Sequence, residues 1–271
     1  MSAVAEYFEP VSVLSLGRVL GLGHVEGDTL RRWFHGLAQG ATNFEDDPAK
    51  WAESDAVVAE IDEALGPVLA RLHAEPDGST IATMLAHAEG TLAERVASIL
   101  PTLKVILLGG MQEPGHACGL TVVGLCESGQ AAELAADPAG LVRAAVEEGL
   151  RWVSPIGTQT RRVVDDAELG GTPLPAGANL GLLVSSANRD EAVWGETADV
   201  FDLHRPRRQH AAFGFGPHFC SGHHFSRVQM RIALQRLFER FPGLRLDPER
   251  PPELRGWEFR APVHLHVLLH G

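Results

Sequence analysis

Cys220 sits near the end of a glycine-rich run, Phe213-Gly214-Phe215-Gly216-Pro217-His218-Phe219-Cys220-Ser221-Gly222, directly before a long helical pattern. A thiolate that binds a metal must be deprotonated, oriented and protected from oxidation. Glycines at 214, 216 and 222 allow backbone conformations and close approaches that a side chain would block, and they let loop N–H groups point at the sulfur. The helix beginning near Ser221 adds its positive N-terminal end, which lowers a thiol pKa. His218, two residues from Cys220, could hydrogen-bond an acidic group of a ligand. A lone cysteine is commonly a small buried hydrophobe, but that reading leaves the rest of the run unexplained. Zinc is a poor fit, because no second Cys or His pair stands at zinc spacing.

A second unusual stretch is Gly109-Gly110-Met111-Gln112-Glu113-Pro114-Gly115-His116. It lies in the middle of an apolar helical pattern running from Leu92 to Cys126. Two glycines, a proline and polar groups there should distort a buried helix. The distortion is either a kink between two helices or a feature facing a ligand. A third is the charge pattern from His204 to Arg231, which holds five arginines, five histidines and no aspartate or glutamate. That segment carries +5 inside a chain whose formal charge is −12.

The elements that must position these groups are mostly helical. Apolar spacing predicts helices over Val11–Leu22, Thr29–Leu37 with Asp28 as N-cap, Trp51–His73, a short one ending at Ala88, Leu92–Cys126 with its break, and Leu141–Trp152. Arg161–Val164, Ala167–Gly171 and Asn179–Val184 read as short strands with turns. A Gly- and Pro-containing meander runs to Phe215. Gly222–Phe241 returns to helix, and Phe259–Leu269 reads as a final strand pair. The expected fold class is mainly α with a small β region, as one domain over residues 1–271.

Composition narrows the function classes. The chain has 271 residues, of which 45% are hydrophobic, enough for a substantial core. The acidic balance argues against nucleic acid as a general partner. Apolar runs are broken by charge, Gly or Pro, so no membrane span is expected. The first ten residues carry no Lys or Arg, unlike a secretory signal. Three cysteines, Cys118, Cys126 and Cys220, cannot pair completely, which points to a reducing cytoplasm.

The Cys220 run resembles the haem-thiolate signature of the cytochrome P-450 superfamily, matching Phe-Gly-x-Gly-x-His-x-Cys-x-Gly at every fixed position. Glu148-Gly149-Leu150-Arg151 fits the family's Glu-x-x-Arg, although i,i+3 ion pairs are common on surfaces. Arg205, in Phe201-Asp202-Leu203-His204-Arg205, would complete a Glu–Arg–Arg cluster that braces the meander behind the cysteine loop. Ser186-Ala187-Asn188-Arg189-Asp190 is typical of the bacterial branch. Three strings resemble the aromatic O-demethylase (guaiacol-type) group: Glu9 to Gly17, Gly110 to His116, and Asp202 to Pro206.

The resemblance implies the fold of the C-terminal two-thirds of a cytochrome P-450, haem b as cofactor and Cys220 as axial metal ligand. It implies a monooxygenase that inserts one oxygen atom from dioxygen into a small, aromatic substrate by hydroxylation or O-demethylation. Phe213, Gly214, Gly216, Gly222, His218 and Gly110 would contact the cofactor. Arg162, in preference to Arg161, would bind a propionate. Ile156, Thr160 and Phe259 would line the substrate pocket. Gln112 and Glu113 fall where the family carries an acid and a threonine that relay protons. Gln112 can order a water. Glu113 is either the relay carboxyl, its pKa raised by burial, or a cap for the helix after the break. The basic segment would face an acidic electron donor, a ferredoxin or flavin reductase.

The family's N-terminal third has no counterpart here, which is expected to leave apolar faces open and to favour a homodimer. Two alternatives remain beside the monooxygenase. One is a truncated haem-binding pseudoenzyme. The other is a peroxide-driven peroxygenase with Glu113 as acid–base.

Overall fold

The computed structural model describes residues 1–270, which divide into two compact units. One comprises residues 5–115 and is wholly helical. The other comprises residues 1–4 and 116–270 and carries all the strands. The expected class, mainly α with a small β region, is what the structure shows.

The helical unit opens with a π-helical turn that begins at Val4 and leads into α1 (Glu9–Leu20). α2 (Gly27–Ala41), α3 (Pro48–Ala74), α4 (Thr80–His87) and α5 (Leu92–Met111) follow. Leu30, Trp33, Phe34 and Leu37 on α2 are buried, at the spacing of one helix face. Ile61, Leu65, Leu69 and Leu72 do the same on α3. Asp47 caps α3 by accepting from Ala49 N–H, and Pro48 occupies the position where a missing N–H costs nothing. Thr91 and Glu94 form a reciprocal capping box on α5. Asp28 does not cap α2: the helix starts two residues earlier than expected, with Glu26 at the cap position and Asp28 inside the first turn.

The second unit is built on three helices. α6 (Glu113–Glu127), whose first three residues belong to the helical unit, is followed by α7 (Ala131–Ala136) and α8 (Pro138–Trp152). A Cβ at Gly149 of α8 would fall on Thr121 of α6, so the two backbones approach closely there. α8 also packs on the last helix, α11, introduced below. Between them run β1 (Gln159–Arg162), β2 (Ala167–Leu169), β3 (Thr172–Leu174) and β4 (Asn179–Leu182), then the short helices α9 (Val184–Ala187) and α10 (Glu191–Trp194). β1 pairs with β4 and β2 with β3, both antiparallel. α11 (His223–Arg240) buries Met230, Ala233, Leu234, Leu237 and Phe238.

The chain ends in β5 (Arg245–Leu246), β6 (Glu253–Arg255), β7 (Ala261–His264) and β8 (Val267–Leu268). The strand pair expected within Phe259–Leu269 is not a pair. β7 bonds to β6 and β8 to β5, because each finds its partner upstream. No helix among the described residues is long and apolar enough to cross a membrane.

Candidate functional site

The cysteine loop is a closed turn. Two 3-10 segments, Ala211–Phe213 and Gly216–His218, lead into Cys220. Gly214 and Gly216 have φ of +68° and +69°, a conformation that L side chains rarely adopt. Cys220 N–H donates to the Phe213 carbonyl at 3.0 Å and so shuts the mouth of the loop. Phe219 N–H donates to the Gly216 carbonyl. These two amides are therefore spent on carbonyls rather than aimed at the sulfur, as the glycine spacing had led us to expect. Gly222 has φ of −82°, and an added Cβ there would make only ordinary contact with Cys220 Sγ at 3.8 Å. Its conformation does not demand glycine. Cys220 is half-buried, and none of the three cysteines is in a disulfide. Phe215 and Phe219 are 54% and 39% exposed, His218 is exposed, and α11 starts at His223.

Behind the loop lies a fully bonded charge cluster. Arg151 grips Glu148 with two hydrogen bonds, of 2.8 and 2.7 Å, and Arg205 Nε donates to the same carboxylate at 3.1 Å. The remaining Arg151 donors reach the carbonyls of Asn188, Ala198 and Val200. Those of Arg205 reach Trp194, Thr197 and Val200. Glu148 also accepts from Asp202 N–H at 2.9 Å. One helix thus fixes the meander over residues 188–205. Two guanidinium groups beside one carboxylate are tolerable in so dry a place because backbone carbonyls take the surplus donors.

The break in the long apolar helix falls at Gln112. Gly109 and Gly110 remain inside α5, where a Cβ at Gly110 would strike Leu16 of α1, so this glycine serves helix packing. Gln112 is half-buried. Glu113 is buried, and neither carboxylate oxygen has a hydrogen-bond partner. Its side chain therefore caps nothing. Burial pushes its pKa up to about 8, so it holds its proton at neutral pH.

Arg161, Arg162 and Thr160 are exposed on β1, whose Gln159 side chain lies 3.7 Å from where a Cβ of Gly214 would be. Ile156 and Phe259 meet in an isolated antiparallel bridge, both half-buried. In the basic segment, Arg205 and Arg208 are bound to carbonyls or to Glu148, and Arg227 to Glu147. Arg231 lines a surface groove of about 280 Å³ with Arg143, Val146, Glu147, His224, Arg227 and Val228.

A haem group fits the residues of this loop. Its donor set is a single half-buried thiol in a loop that also bares the phenyl rings of Phe215 and Phe219, suited to an apolar macrocycle that brings its own nitrogen ligands.

Sequence reasoning passed over Glu147, and it read His210 and Arg227 only as members of the basic segment. Glu147 accepts from Arg227 Nε at 2.6 Å and Nη2 at 3.1 Å, and from His210 Nε2 at 3.1 Å. Burial alone would raise its pKa, but these hydrogen bonds and charges hold it down at about 2. The signal was present: a stretch of twenty-eight residues with arginines and no acid must borrow its counter-charges from elsewhere.

The family model described as "Cytochrome P450" matches residues 139–259. The "Steroid C26-monooxygenase" of Mycolicibacterium smegmatis is 33% identical over 258 residues, covering 94% of this chain and 63% of that protein. The "20-oxo-5-O-mycaminosyltylactone 23-monooxygenase" of Streptomyces fradiae is 30% identical over 244 residues, covering 89% and 56%. Among solved structures, the ligand-free cytochrome P450 TbtJ1 superposes with a TM-score of 0.88 at 27% identity, covering 98% of this chain and 70% of that one. The chain spans 60–65% of the length of the first curated relatives it matches.

Proposed function

The chain belongs to the cytochrome P450 superfamily, and from that premise we propose that it serves as a haem-thiolate monooxygenase. The reaction consumes an organic C–H compound, dioxygen, two electrons and two protons, and yields the hydroxylated product and water. A ferredoxin or flavin reductase supplies the electrons. The observation that carries the reading is Cys220, half-buried at the mouth of a closed loop that follows two left-handed glycines and bares two phenyl rings.

When bound, haem b would supply oxygen activation, and the Cys220 thiolate would be the protein group that holds its iron. The protein's part is to hold and orient. Cys220 donates the sulfur, Phe213, Gly214, Gly216 and Gly222 shape its loop, and Arg162 and His218 are the cationic and polar groups for the propionates. The Glu148–Arg151–Arg205 cluster keeps the meander fixed. Glu113, protonated at neutral pH, is the group we assign to proton supply, with Gln112 ordering water. Ile156, Thr160 and Phe259 are assigned to substrate.

The substrate class we propose is a small aryl methyl ether or similar aromatic, on the strings shared with the O-demethylase group. Hydroxylation of the methyl would release formaldehyde and a phenol. The relatives compared above carry other substrates in their names, a steroid and a mycaminosyltylactone. Nothing in the comparisons supports a homodimer, and we do not propose one.

A second reading rests on Glu113 itself. A buried, unpartnered carboxyl with its pKa near 8 is ionised in a large fraction of molecules at mildly alkaline pH, where it can take a proton from hydrogen peroxide and return it, so that peroxide replaces dioxygen and electrons. The test is the reduced, carbon monoxide-treated protein. A thiolate-type Soret band that vanishes in Cys220→Ser is expected, and its absence from the wild type overturns the assignment. Product formed with reductase identifies a monooxygenase, and product formed with peroxide alone identifies the second reading. Haem binding with neither leaves a pseudoenzyme.

A further inference from the structure

Glu147 and Glu148 are neighbours on α8, yet they serve different parts of the molecule. Glu148 is occupied with the meander. Glu147 turns to the two segments that flank the cysteine loop. On one side is His210, three residues before Phe213, whose Nδ1 accepts from Ala212 N–H at 3.2 Å. With Nδ1 accepting, the ring proton lies on Nε2 and is donated to Glu147. On the other side is Arg227, on the second turn of α11, seven residues after Cys220. Arg227 gives Glu147 two hydrogen bonds, and its guanidinium lies 4.4 Å above the centre of the Phe213 ring. Phe213 in turn accepts the Cys220 N–H.

We infer that Glu147 is a positioning residue for the Cys220 loop. Its single carboxylate ties the segment that enters the loop, through His210, to the helix that leaves it, through Arg227 and the Phe213 ring. The two partners of Glu147 lie 63 and 80 residues from it in sequence. Without the clamp, the Cys220–Phe213 backbone hydrogen bond, the short 3-10 turns, the Ala211 N–H bond to Asn188 and the packing of Phe213 and Phe219 on His223 remain, but no charged group ties the two flanks of the loop together through Glu147. The role of the loop as haem ligand rests on the function proposed above, but the clamp itself does not.

The test reads two cysteines in one full-length chain. Alkylation is followed by peptide mass at alkaline pH, where rate reports access rather than thiol ionisation. Cys118 is buried and serves as the reporter of global opening. In Glu147→Ala, Cys220 is expected to react about tenfold faster, equivalent to about 1.4 kcal/mol of local opening, with Cys118 unchanged. His210→Gln should reproduce part of the change. Glu239→Gln, in an exposed pair on the same helix, should produce none. If Glu147→Ala does not fold, Glu147→Gln keeps the volume and is judged by the same criterion. Parallel acceleration of both cysteines, or of neither, overturns the inference. In haem-loaded protein, Glu147→Ala should also lose part of the thiolate-type carbon monoxide band on standing. Selective Cys220 exposure in a protein that takes up no haem would sink the proposed function and leave the clamp intact.

Discussion

The cysteine loop and the break between α5 and α6 treat charge in opposite ways. Around the loop each acid is met by its base: Glu148 by Arg151 and Arg205, Glu147 by Arg227 and His210. At the break, Glu113 is buried with no partner at all. A paired carboxylate has its pKa lowered or its charge neutralised, and it fixes geometry. An orphan has its pKa raised toward neutrality, which makes it ready to exchange a proton and costs stability as pH rises above its ordinary pKa. Under the function proposed above, the first region would keep a sulfur still and the second would keep a proton available.

The largest effect should come from breaking the paired region. Arg151→Ala leaves Glu148 buried with only Arg205 and one backbone amide, and takes the Arg151 donor from the carbonyls of Asn188 and Ala198, while Val200 keeps Arg205. We expect a loss of about 3–5 kcal/mol in urea unfolding, enough to leave little folded protein. A loss below about 1 kcal/mol would show that the cluster is not the brace described.

The orphan should respond in the reverse sense. Its folded pKa, about 8, lies above the ordinary value of 4.5, so stability is lost as pH rises from 4.5 towards 8. Glu113→Gln removes that cost. Unfolding at pH 7–8 should show a gain on the order of 2–3 kcal/mol, shrinking to nothing near pH 4. Turnover, by contrast, should fall by about a hundredfold if Glu113 supplies the proton. A variant that is more stable and equally active would strip the break of its chemical role. One that is less stable at pH 8 would show that Glu113 has a partner after all.

Much of the contrast was legible in the chain. The Phe213–Gly222 run announced its left-handed glycines, and Glu-x-x-Arg announced one arm of the brace. Pro114 announced a new helix, since proline is tolerated in a first turn. The break, expected within Gly109–His116, falls at Gln112 in that stretch, because glycines are merely weak helix formers, whereas proline rejects its upstream hydrogen bond. α7 was missed because six residues show less than two turns of periodicity. The pairing of β8 with β5, and the clamp on Glu147, depend on partners far along the chain, which local patterns cannot reveal. Gly110, assigned to the cofactor from resemblance, packs on Leu16. A glycine's sequence context does not say which neighbour needs the space.

The smallest effect separates the two glutamates of α8. Glu147 has a folded pKa of about 2 against an ordinary 4.5, so the stability it adds is complete above pH 4.5 and fades as pH falls towards 2. Its edge is partly open to solvent, which screens the interaction, and about 1–2 kcal/mol is the expected contribution. Acid unfolding of Glu147→Gln should therefore converge with wild type below pH 2–3 and diverge by that amount above pH 5. Convergence is the informative half. If the variant stays weaker than wild type at pH 2, its defect lies in packing rather than in the ion pair. The clamp would then be a matter of shape, with the charge on Glu147 incidental to how the cysteine is held.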